Sequence, residues 1–165
     1  MRRIVRAVAL GAVTLPLLSA CTALDDGVLG VTTDASGRLT AVVAVCRHSI
    51  DGVLISAGSG DGKRVLRLQH ERAFTEDFTV VLNDPGDGWT RTPDAGRLTA
   101  DASYSISGWG DNNNGTLFTL RLAPSDIAGL SAGQVLYPTD MSGTATAVSS
   151  TTDFHAKACA EISPR

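Results

Sequence analysis

The chain has 165 residues, 43% of them hydrophobic, which is enough for one domain with its own core. It carries 14 basic and 17 acidic residues, for a net charge of −3, and these charges are dispersed along the sequence. Because no basic patch stands out, the sequence lacks the cluster of positive charge with which nucleic-acid-binding proteins contact phosphates.

The first twenty-one residues have the three-part plan of a secretory signal peptide. Arg2, Arg3 and Arg6 form a basic front, and an apolar run from Val8 to Leu18 follows. This run is interrupted and shorter than the roughly twenty apolar residues of a membrane-spanning helix, which disfavours a transmembrane anchor. We therefore expect residues 1–20 to be removed on export, by either the general or the twin-arginine route.

Leu18-Ser19-Ala20-Cys21 closes this segment and resembles the lipobox of bacterial lipoproteins, in which Leu, a small residue and Ala or Gly precede Cys. The resemblance implies that Cys21 is diacylated, with palmitate-like chains, and becomes the first residue of the mature protein. The alternative is an ordinary signal peptide followed by a chance cysteine. In general layout the whole chain resembles the small lipoproteins of high-GC Gram-positive bacteria, which implies a place on the extracytoplasmic face of the cell membrane.

The mature part, residues 21–165, is more acidic than the whole chain. Residues 1–20 hold three arginines and no acidic residue, so 11 basic and 17 acidic residues remain, a net charge of −6. Such a surface does not bind anionic lipid head groups by charge, and membrane attachment must come from the lipid on Cys21. We expect residues 21–27 to be a short tether and residues 28–165 to be one domain.

Two cysteines, Cys46 and Cys159, remain after Cys21 is assigned to the lipid. In an exported domain such a pair most simply forms one disulfide. The alternatives are two buried free thiols or metal ligands, but no His or Asp stands at ligand spacing from either cysteine. The sequence therefore predicts a disulfide that closes a loop of about 113 residues.

Short apolar or alternating runs separated by Gly, Asp, Asn and Pro turns predict an all-β fold. We interpret it as an immunoglobulin-like antiparallel β-sandwich with a short C-terminal helix. The predicted strands are Val28–Thr33, Leu39–Cys46, Gly52–Ser56, Arg64–Gln69, Phe78–Leu82, Ala102–Trp109, Thr116–Leu122 and Val135–Tyr137.

Three segments carry more detailed expectations. The segment Leu39–Cys46 is apolar on both faces, which predicts a central strand. In Thr116–Leu122, the side chains of Phe118, Leu120 and Leu122 should point inward. The tail from Ser150 to Ile162 fits a strand or a helix, and its capping residues and alanines favour the helix. Residues 139–152 are expected to be an irregular loop or a ragged edge strand.

Motifs for cofactors and metals are incomplete. The glycine-rich segment Gly58–Arg64 has the wrong spacing for a phosphate-binding loop, and Asp111–Gly115 departs from the calcium-loop pattern. His48, His70 and His155 lie far apart in sequence, and none stands at metal-ligand spacing. The sequence therefore predicts no cofactor and no metal.

Trp89 and Trp109 lie beside turn-rich stretches and are the candidate binding residues, although each could instead cap the core. Without a catalytic motif, we expect a non-catalytic binding or structural module of the cell envelope, with a protein or a wall component as partner. The alternative is a small envelope hydrolase whose catalytic triad is assembled from loops. A two-lobed solute receptor is disfavoured because the mature chain is short.

Overall fold

The structure is a computed structural model that describes residues 24–58, 64–92, 96–110 and 115–162. Four predicted features lie outside these ranges: the signal peptide 1–20, the lipidation site Cys21, most of the glycine-rich segment 58–64, and residues 111–114 of the polar turn. The described residues form a main core enclosed by strands and a smaller apolar cluster beneath the C-terminal helix.

Eleven strands and two helices lie within the described ranges. In chain order they are β1 (Leu24–Thr33), β2 (Leu39–Val45), β3 (Ile50–Ala57), β4 (Arg64–Phe74), β5 (Phe78–Val81), β6 (Trp89–Arg91), β7 (Tyr104–Gly110), β8 (Gly115–Phe118), β9 (Leu120–Leu122), α1 (Pro124–Gly129), β10 (Gln134–Pro138), β11 (Thr146–Ser150) and α2 (Phe154–Glu161). The predicted all-β class with a short C-terminal helix is confirmed.

The strands are hydrogen-bonded into one curled, mixed sheet. Its order is β11-β10-β1-β8-β7-β3-β4-β6, while β2 pairs with β1 and β5, and β9 pairs with β7. β1 and β8 run parallel, with Leu24 opposite Gly115, and the other pairs are antiparallel. The structure thus shows a β fold with a mixed sheet, and the immunoglobulin-like sandwich stays a prediction.

β2 is buried on both faces, as its apolar sequence predicts. Ala41 and Val43 lie in the main core, which the curled sheet encloses. Ala44 points to the opposite side, where it belongs to a second apolar cluster together with Phe154 and Ala158 of α2. The outer face of β2 is therefore apolar because α2 covers it.

The C-terminal segment forms a helix, and the strand alternative is ruled out by the structure. The Ser150 hydroxyl oxygen accepts a hydrogen bond from the Asp153 backbone N–H (3.1 Å) just before α2 begins. Ahead of this helix, β11 pairs with β10 along the edge of the sheet. Of the two expectations for residues 139–152, the edge strand is the one that forms, over Thr146–Ser150.

The predicted strand Thr116–Leu122 is divided into β8 and β9 at Thr119. Phe118, Leu120 and Leu122 are buried as expected, but Leu117 is buried as well. The strict alternation is broken because β8 pairs with both β1 and β7, whereas β9 pairs with β7 alone. The segment therefore has two local environments rather than one half-buried face.

The β1–β2 hairpin defines two ends of the sheet. β1 begins at Leu24, and Gly27 lies opposite Val45, so the start of β1 and the end of β2 lie together. We name this region the Cys46 end, after the residue that follows β2. The tight turn 34–38, which joins the two strands, marks the opposite region, named the Asp34 end.

Candidate functional site

The Cys46 end is joined to the C-terminal helix by a disulfide. Cys46 and Cys159 are bonded, with their Cα atoms 5.5 Å apart and a separation of 113 positions in sequence. The bond holds α2 against β1 and β2, where Phe154 and Ala158 are fully packed. The disulfide predicted from the sequence is therefore present, and it crosses most of the domain.

A histidine–carboxylate pair lies beside this disulfide. The Asp77 carboxylate accepts hydrogen bonds from the Val45 backbone N–H and from Nδ1 of His155, both at 2.9 Å. His155 is one helical turn before Cys159, and its Nδ1 lies 4.0 Å from the Cys159 sulfur. Asp77 thus connects the end of β2 to α2 by polar contacts parallel to the covalent bond.

A second pair lies at the same end and is more buried. The Asp26 side chain in β1 is only 3% exposed, and its carboxylate accepts a hydrogen bond from Nδ1 of the exposed His48 at 2.5 Å. The backbone carbonyl of Asp26 accepts hydrogen bonds from the N–H groups of Cys46 and Arg47. A buried carboxylate that orients an imidazole through Nδ1 supplies two of the three members of a hydrolase triad.

The third member of a triad, a nucleophilic hydroxyl, does not accompany either pair in the described residues. Neither His48 nor His155 has a hydrogen bond to a serine or threonine hydroxyl in these ranges. Likewise, no group of three or more His, Cys, Asp or Glu side chains in the described part of the chain could hold a metal ion. Among these residues, the two imidazoles are oriented by carboxylates, but neither has a nucleophile as its partner.

The candidate binding residue Trp89 lies in an aromatic cluster. Its ring stacks on Phe74 at 5.7 Å between centroids, lies 5.9 Å from Phe78, and is met edge-on by His70 at 5.1 Å. Phe74 also stacks on Phe78, which is part of the main core. Trp89 is half-buried and contributes to the packing of β4, β5 and β6.

Trp109, the other candidate, is covered from two sides. The Arg67 guanidinium lies 4.3 Å from the centre of its ring, a cation–π contact. The ring also lies against Gly52 of the neighbouring strand β3, where an added Cβ would overlap the six-membered ring of Trp109. The two tryptophans contact different residues, and the structure does not bring their rings together into one surface.

The Asp34 end contains a cavity of about 320 Å³ that sequence analysis missed. Its apolar surface comes from Leu39, Val81, Leu98 and Ile127. Its polar side chains come from Arg38, Asn83, Asp84, Arg97 and Thr99, and Gly37 and Ala100 complete the lining. These residues come from four separate parts of the chain, and no motif in the sequence connects them.

One wall of the cavity is held by side-chain hydrogen bonds to the backbone. The Asn83 amide donates to the Leu98 carbonyl (2.9 Å) and accepts from the Leu98 N–H (2.8 Å). The Arg91 guanidinium donates to the carbonyls of Asn83 (3.3 Å) and Gly96 (2.7 Å). The Tyr104 hydroxyl oxygen accepts from the Thr99 N–H at 2.8 Å. The loop is thereby fixed in shape by contacts that do not need a ligand.

The turn at the other wall is organised by Asp34. Its carboxylate accepts hydrogen bonds from the N–H and hydroxyl of Ser36, and from the backbone N–H and Nε of Arg38. These bonds, the Ser36 hydroxyl first among them, hold the pKa of Asp34 well below its usual value of 3.8. Asp34 is therefore ionised at neutral pH and positions the Arg38 side chain at the cavity.

No helix in the described ranges is long and apolar enough to span a bilayer. The chain matches no protein-family model, and neither a curated protein nor a solved structure is significantly similar to it.

Proposed function

We propose that this chain is an exported lipoprotein, anchored through Cys21 on the extracytoplasmic face of the membrane, that acts as a non-catalytic binding or structural module. The observation that carries the proposal is the Cys46–Cys159 disulfide, which ties the last element of the domain to its second strand. Structural disulfides of this kind form and persist in oxidising, extracytoplasmic compartments.

The start of the sheet supports the anchoring part of the proposal. β1 begins at Leu24, three residues after Cys21 and earlier than the predicted start at Val28. A lipidated Cys21 would therefore hold the Cys46 end close to the membrane. Because a strand rises about 3.4 Å per residue, the Asp34 end would face away from the membrane at a distance of about 30 Å.

The proposal also keeps the sandwich as the finer description of the fold. It is supported by the main core, in which Leu29 and Val43 pack with residues of β3, β4, β7 and β9 from another part of the curled sheet. Two opposed walls around one apolar layer are the essential feature of a sandwich. The immunoglobulin-like form of that sandwich is part of the same proposal.

Metabolic labelling with an alkyne-bearing palmitate in native cells tests the anchor. We expect the wild-type chain to be labelled and to fractionate with membranes, and the Cys21→Ala variant to be neither. The matched control is the double variant Cys46→Ala/Cys159→Ala, which should keep the label because its lipobox is intact. Equal labelling of wild type and Cys21→Ala would overturn the anchor.

Proximity labelling from the anchored chain tests the binding role. We expect the wild type to label a defined envelope protein or wall component, and the Cys21→Ala variant to lose that partner. If the same partner is labelled without the anchor, the module binds independently of membrane attachment. If no partner is labelled by either chain, the binding role is rejected.

The Asp26–His48 pair favours a second candidate function, a small envelope hydrolase. Its buried carboxylate and exposed imidazole have the arrangement that orients a general base. A fluorophosphonate probe, which labels activated serines, separates the two functions. Labelling of the wild type that disappears in His48→Ala would favour the hydrolase, whereas no labelling of the wild type would favour the non-catalytic module.

A further inference from the structure

We propose that the cavity at the Asp34 end binds a short peptide with small apolar side chains and holds it by its terminal carboxylate. The proposal rests on the proposed function in one respect: it names the ligand class of the binding module. The site itself is argued from the cavity, its charges and its apolar surface.

The cavity has the size and the surface of a small-ligand site. Its volume of about 320 Å³ lies at the lower end of the range found for ligand pockets, about 300–1,000 Å³. Leu39, Val81 and Ile127 are half-buried, so their apolar atoms remain available inside the cavity. A ligand with two or three small residues fits this space, whereas a long acyl chain does not.

Two guanidinium groups supply the means to bind a carboxylate. Arg38 uses Nε for its ion pair with Asp34 at 2.7 Å, and its two terminal nitrogens form no ion pair with a described residue. Arg97 lines the same cavity and forms no ion pair with another described residue. Planar guanidinium groups bind carboxylates through two parallel hydrogen bonds, which a lysine cannot do.

The acidic side chain of Asp84 favours a peptide over other carboxylates. Asp84 lies on the same lining and forms no ion pair with Arg38 or Arg97. An acidic oxygen can accept a hydrogen bond from an amide N–H or an ammonium group of the ligand. The lining residues include no aromatic side chain, so the cavity lacks the ring on which a sugar would stack.

The fixed wall lowers the cost of binding. Asn83 and Arg91 already hold the loop that carries Leu98 and Arg97, so the cavity does not have to be ordered by the ligand. Pre-organised sites lose less conformational entropy when they bind. If the chain is anchored at Cys21, this site lies at the end of the sheet that is remote from the membrane, open to peptides of the envelope.

Titration of the purified, isotope-labelled full chain in a mild detergent tests the site by amide NMR. The probe is N-acetyl-alanyl-alanyl-alanine with a free carboxylate, compared with the same peptide as its carboxamide. We expect shifts of the amides of residues 37–39, 83–84 and 97–100, and at least about tenfold weaker binding of the carboxamide, because charge-assisted hydrogen bonds are lost. Equal binding of the two peptides would overturn the carboxylate assignment.

Variants of the two arginines separate this site from unspecific association. We expect Arg38→Gln/Arg97→Gln to weaken binding of the free acid at least about tenfold, while the matched control Arg72→Gln, an exposed arginine of β4, leaves it unchanged. Unchanged amide positions outside the cavity would show that both variants fold. Full binding by the double variant, or no amide shift of the wild type at millimolar peptide, would overturn the proposal.

The same titration with Cys21→Ala distinguishes failure of the site from failure of the anchor. Binding that is equal to the wild type keeps the peptide site whether or not the chain is lipidated. If the wild type is lipidated but does not bind the peptide, the site is wrong and the anchored module stands. If binding is lost only in Cys21→Ala, the cavity is not the binding site, because the cavity lies at the opposite end of β1 from Leu24, where the strand begins.

Discussion

The two ends of the sheet are stabilised in different ways. At the Cys46 end, contacts join residues distant in sequence: the disulfide spans 113 residues, and the Asp77–His155 pair spans 78. At the Asp34 end, the side-chain hydrogen bonds that shape the cavity span fewer residues: the Asp34–Arg38 bond spans 4 and the Asn83–Leu98 bond spans 15. Long-range links stabilise the whole domain, whereas local side-chain bonds shape a loop.

This difference has a functional meaning under the proposals above. The end with the long-range links would lie at the membrane and hold the domain to its anchor, while the end with shaped loops would carry the binding cavity. Binding residues are often placed on loops that a rigid scaffold positions. Variants at the two ends should therefore differ in whether they affect global unfolding or only one loop.

Removal of the disulfide should have the largest effect. In Cys46→Ala/Cys159→Ala, we expect the free energy of unfolding to fall by about 4 kcal/mol, because a long loop of the unfolded chain is no longer closed. Urea unfolding followed by circular dichroism measures this loss, and Cys21→Ala serves as the control with an intact disulfide. A loss below about 1 kcal/mol would mean that the noncovalent packing of α2 is sufficient.

Asn83→Ala should affect the Asp34 end alone. It leaves the N–H and carbonyl groups of Leu98 without their partners, and we expect a loss of about 2 kcal/mol with faster hydrogen exchange in residues 96–99. Asn83→Asp is the matched variant, since it keeps the acceptor for the Leu98 N–H and loses only the donor. Faster exchange throughout the sheet, rather than in this loop, would contradict a local role.

The two Asp–His pairs should differ because their carboxylates differ in burial. His48→Ala leaves the Asp26 carboxylate, 3% exposed, without its hydrogen bond, and we expect a loss of about 1–2 kcal/mol. His155→Ala removes the partner of Asp77, which is 44% exposed, and should cost less than about 1 kcal/mol because water replaces the bond. Equal losses in thermal unfolding would show that burial does not set the difference.

Acid should weaken the turn at the Asp34 end by a small amount. The pKa of Asp34 is lowered by its hydrogen bonds, so its contribution is complete above the usual value of 3.8 and is lost as the pH falls below that value. We expect Asp34→Asn to be less stable than wild type at pH 6 but to lose less stability between pH 4 and 2. Unfolding free energies at these pH values provide the measurement.

The turn around Asp140 gives a second test of the acid prediction. Hydrogen bonds, first that of the Thr144 hydroxyl, lower the pKa of Asp140 to about 2. Asp140→Asn should therefore flatten the same part of the pH curve without changing peptide binding at the Asp34 end. If neither substitution changes the slope of stability against pH below 4, the two carboxylates do not keep their hydrogen bonds in solution.

Sequence patterns were sufficient to predict features that depend on a few neighbouring residues, or on chemistry that leaves only one choice of partner. The strand at Leu39–Val45 could be predicted as buried on both faces because every side chain in it is small or apolar. The helix at the C-terminus could be chosen over a strand from its alanines, whereas the expected capping box does not form: the N-cap is Asp153, and it makes no side-chain cap hydrogen bond. The disulfide followed from two cysteines that had no other partner.

Other features could not be predicted because they depend on strands that meet only in the folded chain. The parallel contact of β1 with β8 makes the sheet mixed, and no local pattern indicates it. The short strand Trp89–Arg91 pairs with the edge of β4 that β3 leaves open, and it does so opposite the same residues, Leu68 and Gln69, that pair with β3. Asp26 and His48 are recognisable as a pair only after β1 and β2 are in register.

By itself, the sequence determined that the described chain is built from strands, that its last segment is helical and that Cys46 pairs with Cys159. These features follow from periodicity, helix propensity and thiol chemistry, which act over a few residues or leave a single choice. Only the tertiary structure decided that the strands form one curled, mixed sheet and that a cavity opens between Arg38 and Arg97. The reason is physical: strand order and cavities arise from contacts between distant segments, whose energies depend on packing that no local pattern encodes.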